Sequence, residues 1–322
     1  MVADLKFEKS EFPSIIVNDG SVSTIEQAKA FVKEHLELLE QELFCTGALL
    51  FRGFPITSAQ TYDEFFSAFN YPNFTYKESL SNAVRINHTE YVFTANEAPK
   101  HVEIYLHNEM AQTPVYPAKI SLFCEQAADK GGETAICRSD FIYQNLINVE
   151  PELTEKLERV GVKYTTLMPA EDKPESGQGR SWKSTLTVEN AEQAEEKLKN
   201  LGYSWQWLAD GSLKAQTSAL PAIRILSDGR KVFFNQIIAA YMGWSGVRDN
   251  PDVALCFGDD SSINKAFLET IVKQAELLTY DIAWQDGDVA IVDNNIAKHG
   301  RRPFEGERKR KVLVVLGASG KK

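Results

Sequence analysis

Two residues that commonly bind metals, a histidine and a glutamate, stand two positions apart in the apolar segment "YLHNEMAQTP" (105–114). The segment is predicted to form a strand, in which residues i and i+2 point to the same face. His107 and Glu109 are therefore expected to converge on one point while Asn108 faces away. A third ligand must come from elsewhere, and "VDNNIAKHGRRPF" contains His299 shortly after an apolar strand. Two imidazoles and one carboxylate form the donor set typical of non-haem Fe(II), with coordination positions left open.

Ligand types alone leave other chemistry open. The same donor set also suits a catalytic zinc ion, so zinc-dependent hydrolysis remains an alternative at this point. A serine or cysteine hydrolase has little support, because the sequence contains no G-x-S-x-G elbow and no cysteine in a recognisable nucleophile setting. His35, His88 and His101 lie near no obvious second ligand and are expected to be structural or surface residues.

Length, composition and charge narrow the class of protein. The chain has 322 residues, 43% of them hydrophobic, which is enough for a substantial core, and we expect a single domain over 1–322. A net charge of −10 argues against partners such as nucleic acid or an anionic membrane. The four cysteines form no C-x-x-C pair, and the chain begins without a signal-peptide pattern. These features predict a cytoplasmic protein that binds neither membrane nor nucleic acid.

Apolar periodicity predicts the elements that must position the three ligands. Helices are expected over 24–44, 58–69, 141–161, 190–202 and 262–280, and strands over 47–56, 118–127, 231–238, 288–295 and 310–317. The strands do not alternate regularly with helices, so an antiparallel sandwich or barrel with helices packed outside is favoured. The polar stretch 169–183 is a candidate lid loop.

The order and spacing of several segments resemble the taurine dioxygenase/clavaminate synthase-like family of Fe(II)- and 2-oxoglutarate-dependent oxygenases. These segments are "GALLFRGFPI", "LHNE", "GGETAI", "VFFNQIIAAYMGW" and "WQDGDVAIVDNNIAKHGRRPFEGERKR". The resemblance implies a mainly β protein with flanking helices (α+β) around a double-stranded β-helix, or jelly-roll, core. It also implies that His107, Glu109 and His299 bind Fe(II), with 2-oxoglutarate and O2 as cosubstrates and succinate and CO2 as products.

In such proteins a threonine and a late arginine bind the distal carboxylate of 2-oxoglutarate. Thr134 in "GGET" matches the threonine, while "ERKRK" offers both Arg308 and Arg310. Alternation along a strand would place both arginines on one face, so spacing does not choose between them; we favour Arg310. A guanidinium suits this task because it forms a bidentate, charge-assisted pair with a carboxylate. Arg302, close to His299, is a candidate for contact with substrate.

The carboxylate ligand is a glutamate where many members of the family have aspartate. Halogenating relatives replace this carboxylate with a small residue, which leaves a position for chloride. Because Glu109 retains the carboxylate, halogenation is disfavoured. Hydroxylation, desaturation and ring formation remain open, and hydroxylation is the expected outcome.

The substrate is predicted to be an amino acid or an amino-acid-derived small molecule, either free or attached to a carrier protein. Asn108, Asn235, Gln236, Arg180 and Trp182 are candidates for contact with it, although asparagine and glutamine near strand ends usually satisfy backbone groups. The alternative from another class is a barrel that binds a metal or ligand without catalysis. Such a barrel would not need a threonine paired with an arginine for 2-oxoglutarate.

Overall fold

The computed structural model describes residues 11–74, 80, 86–95, 98–172 and 180–319, and all of the following elements lie within those ranges. In chain order the strands are β1 (Ser14–Val17), β2 (Ala48–Arg52), β3 (Phe93–Thr94), β4 (Ile104–His107), β5 (Lys119–Gln126), β6 (Lys130–Gly131), β7 (Thr134–Arg138), β8 (Val162–Met168), β9 (Ser204–Trp207), β10 (Leu213–Gln216), β11 (Ile223–Ile225), β12 (Lys231–Phe233), β13 (Leu255–Phe257), β14 (Tyr280–Ile282), β15 (Val289–Asp293), β16 (Ala297–Arg301), β17 (Phe304–Glu305) and β18 (Lys311–Gly317).

Helices surround these strands. They are α1 (Ile25–Glu34), α2 (Leu36–Thr46), α3 (Ala59–Ser67), α4 (Ser139–Val149), α5 (Pro151–Val160), α6 (Trp182–Leu186), α7 (Ala191–Asn200), α8 (Ile237–Gly243) and α9 (Lys265–Leu277), with a short 3-10 turn at Pro251–Val253. No helix within the described ranges has the length and apolar character needed to cross a bilayer.

Two sheets form the centre of the molecule. The larger has the order β1-β2-β15-β5-β18-β3, and the smaller has the order β14-β7-β16-β4. Both contribute to one apolar core, in which Leu122 and Val314 of the larger sheet lie with Ile136 and Ala297 of the smaller. The sheets are antiparallel except where β1 pairs with β2. This is the jelly-roll arrangement that the sequence predicted, and with its flanking helices the fold is α+β.

Alternation of side chains explains why the larger sheet is buried on both faces. In β2, Ala48 and Leu50 point into the core between the sheets, while Leu49 and Phe51 pack in a second cluster with side chains of α1, α2 and α3. The β2 strand therefore lacks a polar face, which matches its continuous apolar sequence. A third sheet of order β13-β8-β10-β9 extends the molecule beside the smaller sheet.

Two predicted helices are each divided in the structure. The helix expected over 24–44 is α1 and α2, interrupted at His35, whose backbone leaves the helical region (φ −102°, ψ 12°) and whose Nδ1 lies 2.9 Å from Phe31 O. The helix expected over 141–161 is α4 and α5, interrupted at Glu150. Pro151 begins α5, and the residue before a proline is restricted away from helical geometry.

Three strand predictions need correction at their ends. The run 231–238 is a strand only through Phe233 and becomes helix α8 at Ile237, where Asn235 Oδ1 accepts a hydrogen bond from the Ile237 amide (3.0 Å). Strand β4 ends at His107, so Glu109 lies beyond it, and β18 begins at Lys311, after both candidate arginines. The arguments from strand alternation therefore do not apply to these pairs of residues.

Candidate metal centre

Strand pairing brings the two candidate histidines together. β4 and β16 run antiparallel with His107 directly opposite His299, and the centroids of the two imidazole rings are 4.3 Å apart. Gly300 permits this approach, because a Cβ atom there would lie 2.5 Å from Ile104 O. A glycine in β16 thus sets the separation of the strands that carry both histidines.

Glu109 reaches the same point from the turn after β4. Asn294 holds its backbone on both sides: Glu109 N donates to Asn294 Oδ1 (2.6 Å), and Asn294 Nδ2 donates to Glu109 O (3.0 Å). The next residue, Met110, has a positive φ of 57°, which turns the chain sharply. Glu109 Oε2 consequently lies 3.5 Å from His107 Nε2 and 3.3 Å from His299 Nε2.

These three side chains suit a metal ion. Metal bonds of about 2.1 Å at angles between about 90° and 110° separate two donor atoms by about 3.0 to 3.4 Å, close to the distances observed. His107 Nδ1 lies 2.8 Å from Tyr105 O, so that nitrogen carries the proton and Nε2 keeps its lone pair for a metal. Within the described residues, His107, Glu109 and His299 form a group with ligand atoms all within 4.8 Å of one another.

Electrostatics keep the carboxylate ionised. Burial by itself would raise the pKa of Glu109, but the imidazoles of His107 and His299 beside it hold that pKa well below its usual range. An ionised carboxylate and neutral imidazoles are the forms that bind a cation. The donor types and their spacing therefore fit Fe(II).

A small cavity on one side of the centre contains the predicted cosubstrate residues. Thr134 and Arg310 line it together with His299, and apolar side chains of the larger sheet, such as Leu122 and Val314, form its opposite wall. Thr134 begins β7, and its hydroxyl oxygen accepts a hydrogen bond from the indole nitrogen of Trp284. A cavity with a hydroxyl, the guanidinium groups of Arg301 and Arg310 and apolar walls can hold a small dicarboxylate next to the centre.

The turn "KGGET" sets the position of Arg310. Gly131 and Gly132 both have positive φ (73° and 74°), and a Cβ on Gly131 would lie 2.4 Å from Pro303 O. Arg310 Nε donates to Gly132 O (2.8 Å), while its terminal nitrogens have no partner among the described residues. Burial, with the charge of Arg301 nearby, lowers the pKa of Arg310 to about 10. An anion bound in the cavity would favour the protonated guanidinium of Arg310 and so raise its pKa again.

The other arginines of this region lie in different surroundings. Arg308 is exposed and pairs with Asp286, outside the cavity that Arg310 lines. Arg302, predicted to contact substrate, is held by Glu103 (2.9 Å) and Glu276 (2.7 Å) and lines neither cavity. Carboxylates on neighbouring elements already pair with these two side chains, and neither side chain lines a cavity at the centre. Arg301 lines the small cavity and donates to backbone carbonyls, including Val102 O (2.7 Å).

A larger cavity of about 760 Å³ opens on the other side of the centre and shares His107 and Glu109 with the small one. Most of its described lining residues are apolar. Polar uncharged side chains also line it: Gln112, Thr113, Thr165, Thr166, Thr185, Thr217, Gln236 and Ser245. Apart from Glu109, the charged side chains among its described lining residues are Glu103, which pairs with an arginine, and the exposed Lys214.

Two of the amides predicted to contact substrate serve the interior instead. Asn108 is fully buried, and its Nδ2 donates to Asn294 O (2.7 Å) and Ala297 O (3.2 Å). Asn235 is 1% exposed and donates from Nδ2 to Ala222 O (3.1 Å). Neither lines the large cavity, so the prediction of substrate contact was wrong for both. Gln236 does line it, and its Nε2 donates to Asn108 O (3.2 Å).

The predicted lid is described only at its ends, and 173–179 lie outside the described residues. Trp182 begins α6 and packs into an apolar cluster, with its ring centroid 5.0 Å from that of Trp207; it lines neither cavity. Arg180 bonds to Ser184 in the first turn of the same helix. The ring of Trp182 is thus used in packing, and its contact with substrate stays a prediction.

Four residues that shape the centre were missed by the reasoning from sequence. Asn294, Lys298 and Gly300 lie around His299 in "DNNIAKHG", and Trp284 precedes β15. Nothing in the local sequence distinguishes Lys298 or Trp284 from other residues of strands and their flanking turns. Only the glycine carried a usable signal, since an isolated glycine in a strand often marks close backbone approach. The roles of the other three depend on residues far away in sequence.

Comparison with known proteins agrees with this fold. Residues 20–316 match the model of the taurine catabolism dioxygenase TauD, TfdA family. The chain is 34% identical to a clavaminate synthase-like protein of Arabidopsis thaliana over 96% of its own length and 94% of that protein. It is 28% identical to the dapdiamide synthesis protein DdaC of Enterobacter agglomerans, over 84% of this chain and 82% of DdaC.

Solved structures share the fold at low sequence identity. A taurine dioxygenase from Burkholderia xenovorans superposes with a TM-score of 0.51 and 13% identity, over 88% of this chain and 80% of that one. The crystal structure of AAD-2 in complex with Mn(II) and N-oxalylglycine gives the same TM-score and identity, over 90% and 89% of the two chains. Fold and centre together define an oxygenase of the jelly-roll class. The chain belongs to the TauD/TfdA family, and it is a 2-oxoglutarate-dependent, non-haem iron dioxygenase.

Proposed function

We propose that this dioxygenase hydroxylates an unactivated C–H bond of an amino acid or amino-acid-derived small molecule, with His107, Glu109 and His299 as its iron ligands. Bound Fe(II), with 2-oxoglutarate and O2, supplies the oxidant that removes the hydrogen atom, and succinate and CO2 are released. The observation that carries the proposal is that two cavities of different character meet at His107 and Glu109, with His299 lining the smaller one.

The small cavity is assigned to 2-oxoglutarate. Arg310 pairs with the distal carboxylate of the cosubstrate, and Thr134 donates a hydrogen bond to it, as a buried guanidinium and a hydroxyl are suited to do. The apolar walls from the larger sheet exclude water from the methylene carbons. His107 and Glu109 stand between this cavity and the larger one, so a substrate in the larger cavity approaches the centre from the opposite side.

The larger cavity supports a substrate with few charges close to the centre. Among its described lining residues the one lysine or arginine is Lys214, which is exposed on β10. A free α-carboxylate would need such a cation, whereas an amino acid joined through its carboxyl group as an amide or thioester would not. The names of the clavaminate synthase-like relative and of DdaC also support an amino-acid-derived substrate. Attachment to a carrier protein is one form of this substrate, and desaturation or ring closure are alternative outcomes.

Anaerobic titration tests the assignment of metal and cosubstrate. Fe(II) and 2-oxoglutarate added to the wild-type protein are expected to give a weak visible charge-transfer band, which His107→Ala should abolish because one of three metal ligands is lost. Arg310→Gln should weaken 2-oxoglutarate binding by at least about tenfold, since hydrogen bonds between charged groups contribute about 1.5 to 3 kcal/mol.

Arg308→Gln is the matched control, because Arg308 is exposed and pairs with Asp286 outside the cavity. An unchanged band in His107→Ala, or equal losses in the two arginine variants, would contradict the assignment. Substrate class is tested separately by measuring succinate formation with free amino acids and with carrier-bound aminoacyl groups. Stimulation by free amino acids alone would contradict a substrate joined through its carboxyl group.

A further inference from the structure

A buried polar cluster lies directly behind the three candidate ligands. It consists of Asn108, Asn235, Asn294 and Lys298, which are each at most 1% exposed, and we call it the support cluster. Each member belongs to a segment that carries or adjoins a ligand, except Asn235, which precedes α8. Burying four polar side chains in one place costs free energy unless hydrogen bonds compensate, so their presence requires an explanation.

Asn108 is the centre of the cluster. Its Oδ1 accepts hydrogen bonds from Lys298 Nζ (2.6 Å) and from the Asn235 amide (3.1 Å). Its Nδ2 donates to two backbone carbonyls in the turn before His299, at Asn294 and Ala297. The residue between the first two ligands is thereby joined to the segment that carries the third.

Lys298 makes the same connection from the other direction. It precedes His299 in β16, so its side chain leaves the strand on the face opposite the imidazole and passes behind the centre. Nζ donates to Asn108 Oδ1 (2.6 Å) and to Asn235 O (2.7 Å), and it lies 5.0 Å from the ring centroid of Phe233. An amine has hydrogens for two acceptors in either protonation state, so this geometry does not depend on its charge.

Asn294 fixes the backbone of Glu109. It bonds to the amide and carbonyl of Glu109 and also donates from Nδ2 to Pro117 O (2.7 Å). Every segment that bears a ligand is thus bonded to the support cluster. Second-layer groups of this kind orient metal ligands and commonly affect affinity by about 10- to 100-fold.

We propose that Lys298 and Asn108 are positioning residues, whose mutual hydrogen bond holds His107, Glu109 and His299 in the arrangement that binds metal. The proposal rests on the proposed function, because it assumes that these three side chains are the ligands. It predicts that breaking the Lys298–Asn108 bond alters metal affinity and coordination geometry by more than the accompanying loss of stability explains.

The test is titration of metal-free full-length protein with Co(II), which reports both affinity and coordination geometry through its visible absorption. Lys298→Met keeps the length of the side chain and removes its donors, so Co(II) affinity should fall by about 10- to 100-fold and the absorption bands should shift. Lys298→Gln retains an amide donor and should give an intermediate affinity. Asn108→Ala combined with Lys298→Met should lose less than the sum of the two single losses, because both substitutions break the Lys298–Asn108 bond.

Thr154→Val is the control for stability. Thr154 is fully buried in α5 and donates to Glu150 O (2.7 Å), so its replacement also removes one buried hydrogen bond, but far from the centre. Its Co(II) affinity and spectrum should match wild type. Losses in Lys298→Met no greater than in this control would overturn the proposal.

The same titration separates this inference from the assignment of the metal site. If His107→Ala binds Co(II) as tightly as wild type, the ligand assignment is wrong and the positioning role falls with it. If His107→Ala loses binding while both Lys298 variants keep wild-type affinity and spectrum, the ligand assignment stands and only the positioning role is wrong. If Lys298→Met does not fold, the comparison of Lys298→Gln with wild type decides.

Discussion

At the scale of single residues, one hydrogen bond gives Thr134 a direction. Trp284 Nε1 donates to Thr134 Oγ1 at 3.0 Å, and an indole nitrogen is only a donor. The threonine oxygen therefore acts as acceptor toward Trp284, and its own proton is available for the small cavity that Thr134 lines. A carboxylate in that cavity can only accept hydrogen bonds. The bond from Trp284 therefore favours the orientation in which the Thr134 hydroxyl can donate its proton to the carboxylate.

Replacing Trp284 with phenylalanine is expected to weaken cosubstrate binding. The hydroxyl could then turn toward other acceptors, and the loss of one oriented hydrogen bond, about 0.5 to 1.5 kcal/mol, corresponds to a rise of about 2- to 12-fold in the dissociation constant of 2-oxoglutarate. Anaerobic titration of the Fe(II)-loaded variant measures this constant.

Trp207→Phe provides the control. This substitution also removes an indole hydrogen bond, from Trp207 to Glu195 (2.6 Å), but Trp207 lines neither cavity. An unchanged dissociation constant in Trp284→Phe would show that the indole does not orient Thr134.

At the scale of elements, the centre depends on the pairing of β4 with β16. The pairing places His107 opposite His299, and the register shifts between His299 and Arg301. Gly300 lies at this shift, with β4 so close that its backbone occupies the place of a side chain. The separation of two strands, rather than the local sequence around each histidine, brings the imidazoles together.

Gly300→Ala is therefore expected to force the two strands apart. The added methyl group would lie 2.5 Å from Ile104 O, and overpacking of this kind costs about 1 to 3 kcal/mol. Urea unfolding of the metal-free variant should show that loss, and Co(II) affinity should fall because the histidines separate.

The matched control is Gly243→Ala at the end of α8, where the new methyl group would meet only the ring of Tyr105 at 3.3 Å. A side chain can move more easily than backbone, so its stability should stay close to wild type. Equal behaviour of the two variants would contradict the role given to Gly300.

At the scale of the whole molecule, the interior contains buried polar and charged side chains. The free-energy cost of burying them is offset by partners from many parts of the fold. Lys298 is the clearest case: it is fully buried among segments from distant parts of the chain, and burial lowers its pKa well below 10.5. In the unfolded chain its pKa returns to about 10.4. The free energy of unfolding must then depend on pH through this residue.

The sign of this dependence is definite. Between the lowered pKa and about pH 10.4, the unfolded chain holds one proton more than the folded protein, so the unfolding free energy rises with pH by up to about 1.4 kcal/mol per unit. Below the lowered pKa both states are protonated and the contribution is constant.

Urea unfolding of metal-free wild type and Lys298→Met, measured from neutral pH to about pH 10, isolates the contribution. The difference between wild type and variant should move in favour of wild type as pH increases. Parallel curves for the two proteins would show that Lys298 keeps an ordinary pKa in the folded state.

Predictions from sequence succeeded where they depended on neighbouring residues and were incomplete where they depended on contacts between residues far apart in the chain. The main strands were predicted, because apolar runs such as 118–127 and 288–295 are local patterns, whereas the jelly-roll core was implied by the resemblance to a known family. The breaks at His35 and Glu150 were missed, since helical periodicity continues across both positions. The single domain over 1–322 and the roles of the site residues stay predictions.

The sequence by itself determined the chemistry that the chain can support. The spacing of His107 and Glu109, the distant His299 and the "GGET" turn indicated the family, because donor types and short motifs are written in neighbouring residues. The family was confirmed by comparison with known proteins.

The tertiary structure alone decided how those residues are arranged. It separated Arg310, beside the small cavity, from Arg308, which pairs with Asp286 at the surface. It also changed Asn108 from a candidate substrate contact to a buried partner of Lys298. The physical reason is that burial and hydrogen-bond partners follow from strand register and from elements far apart in sequence, and no local pattern encodes either.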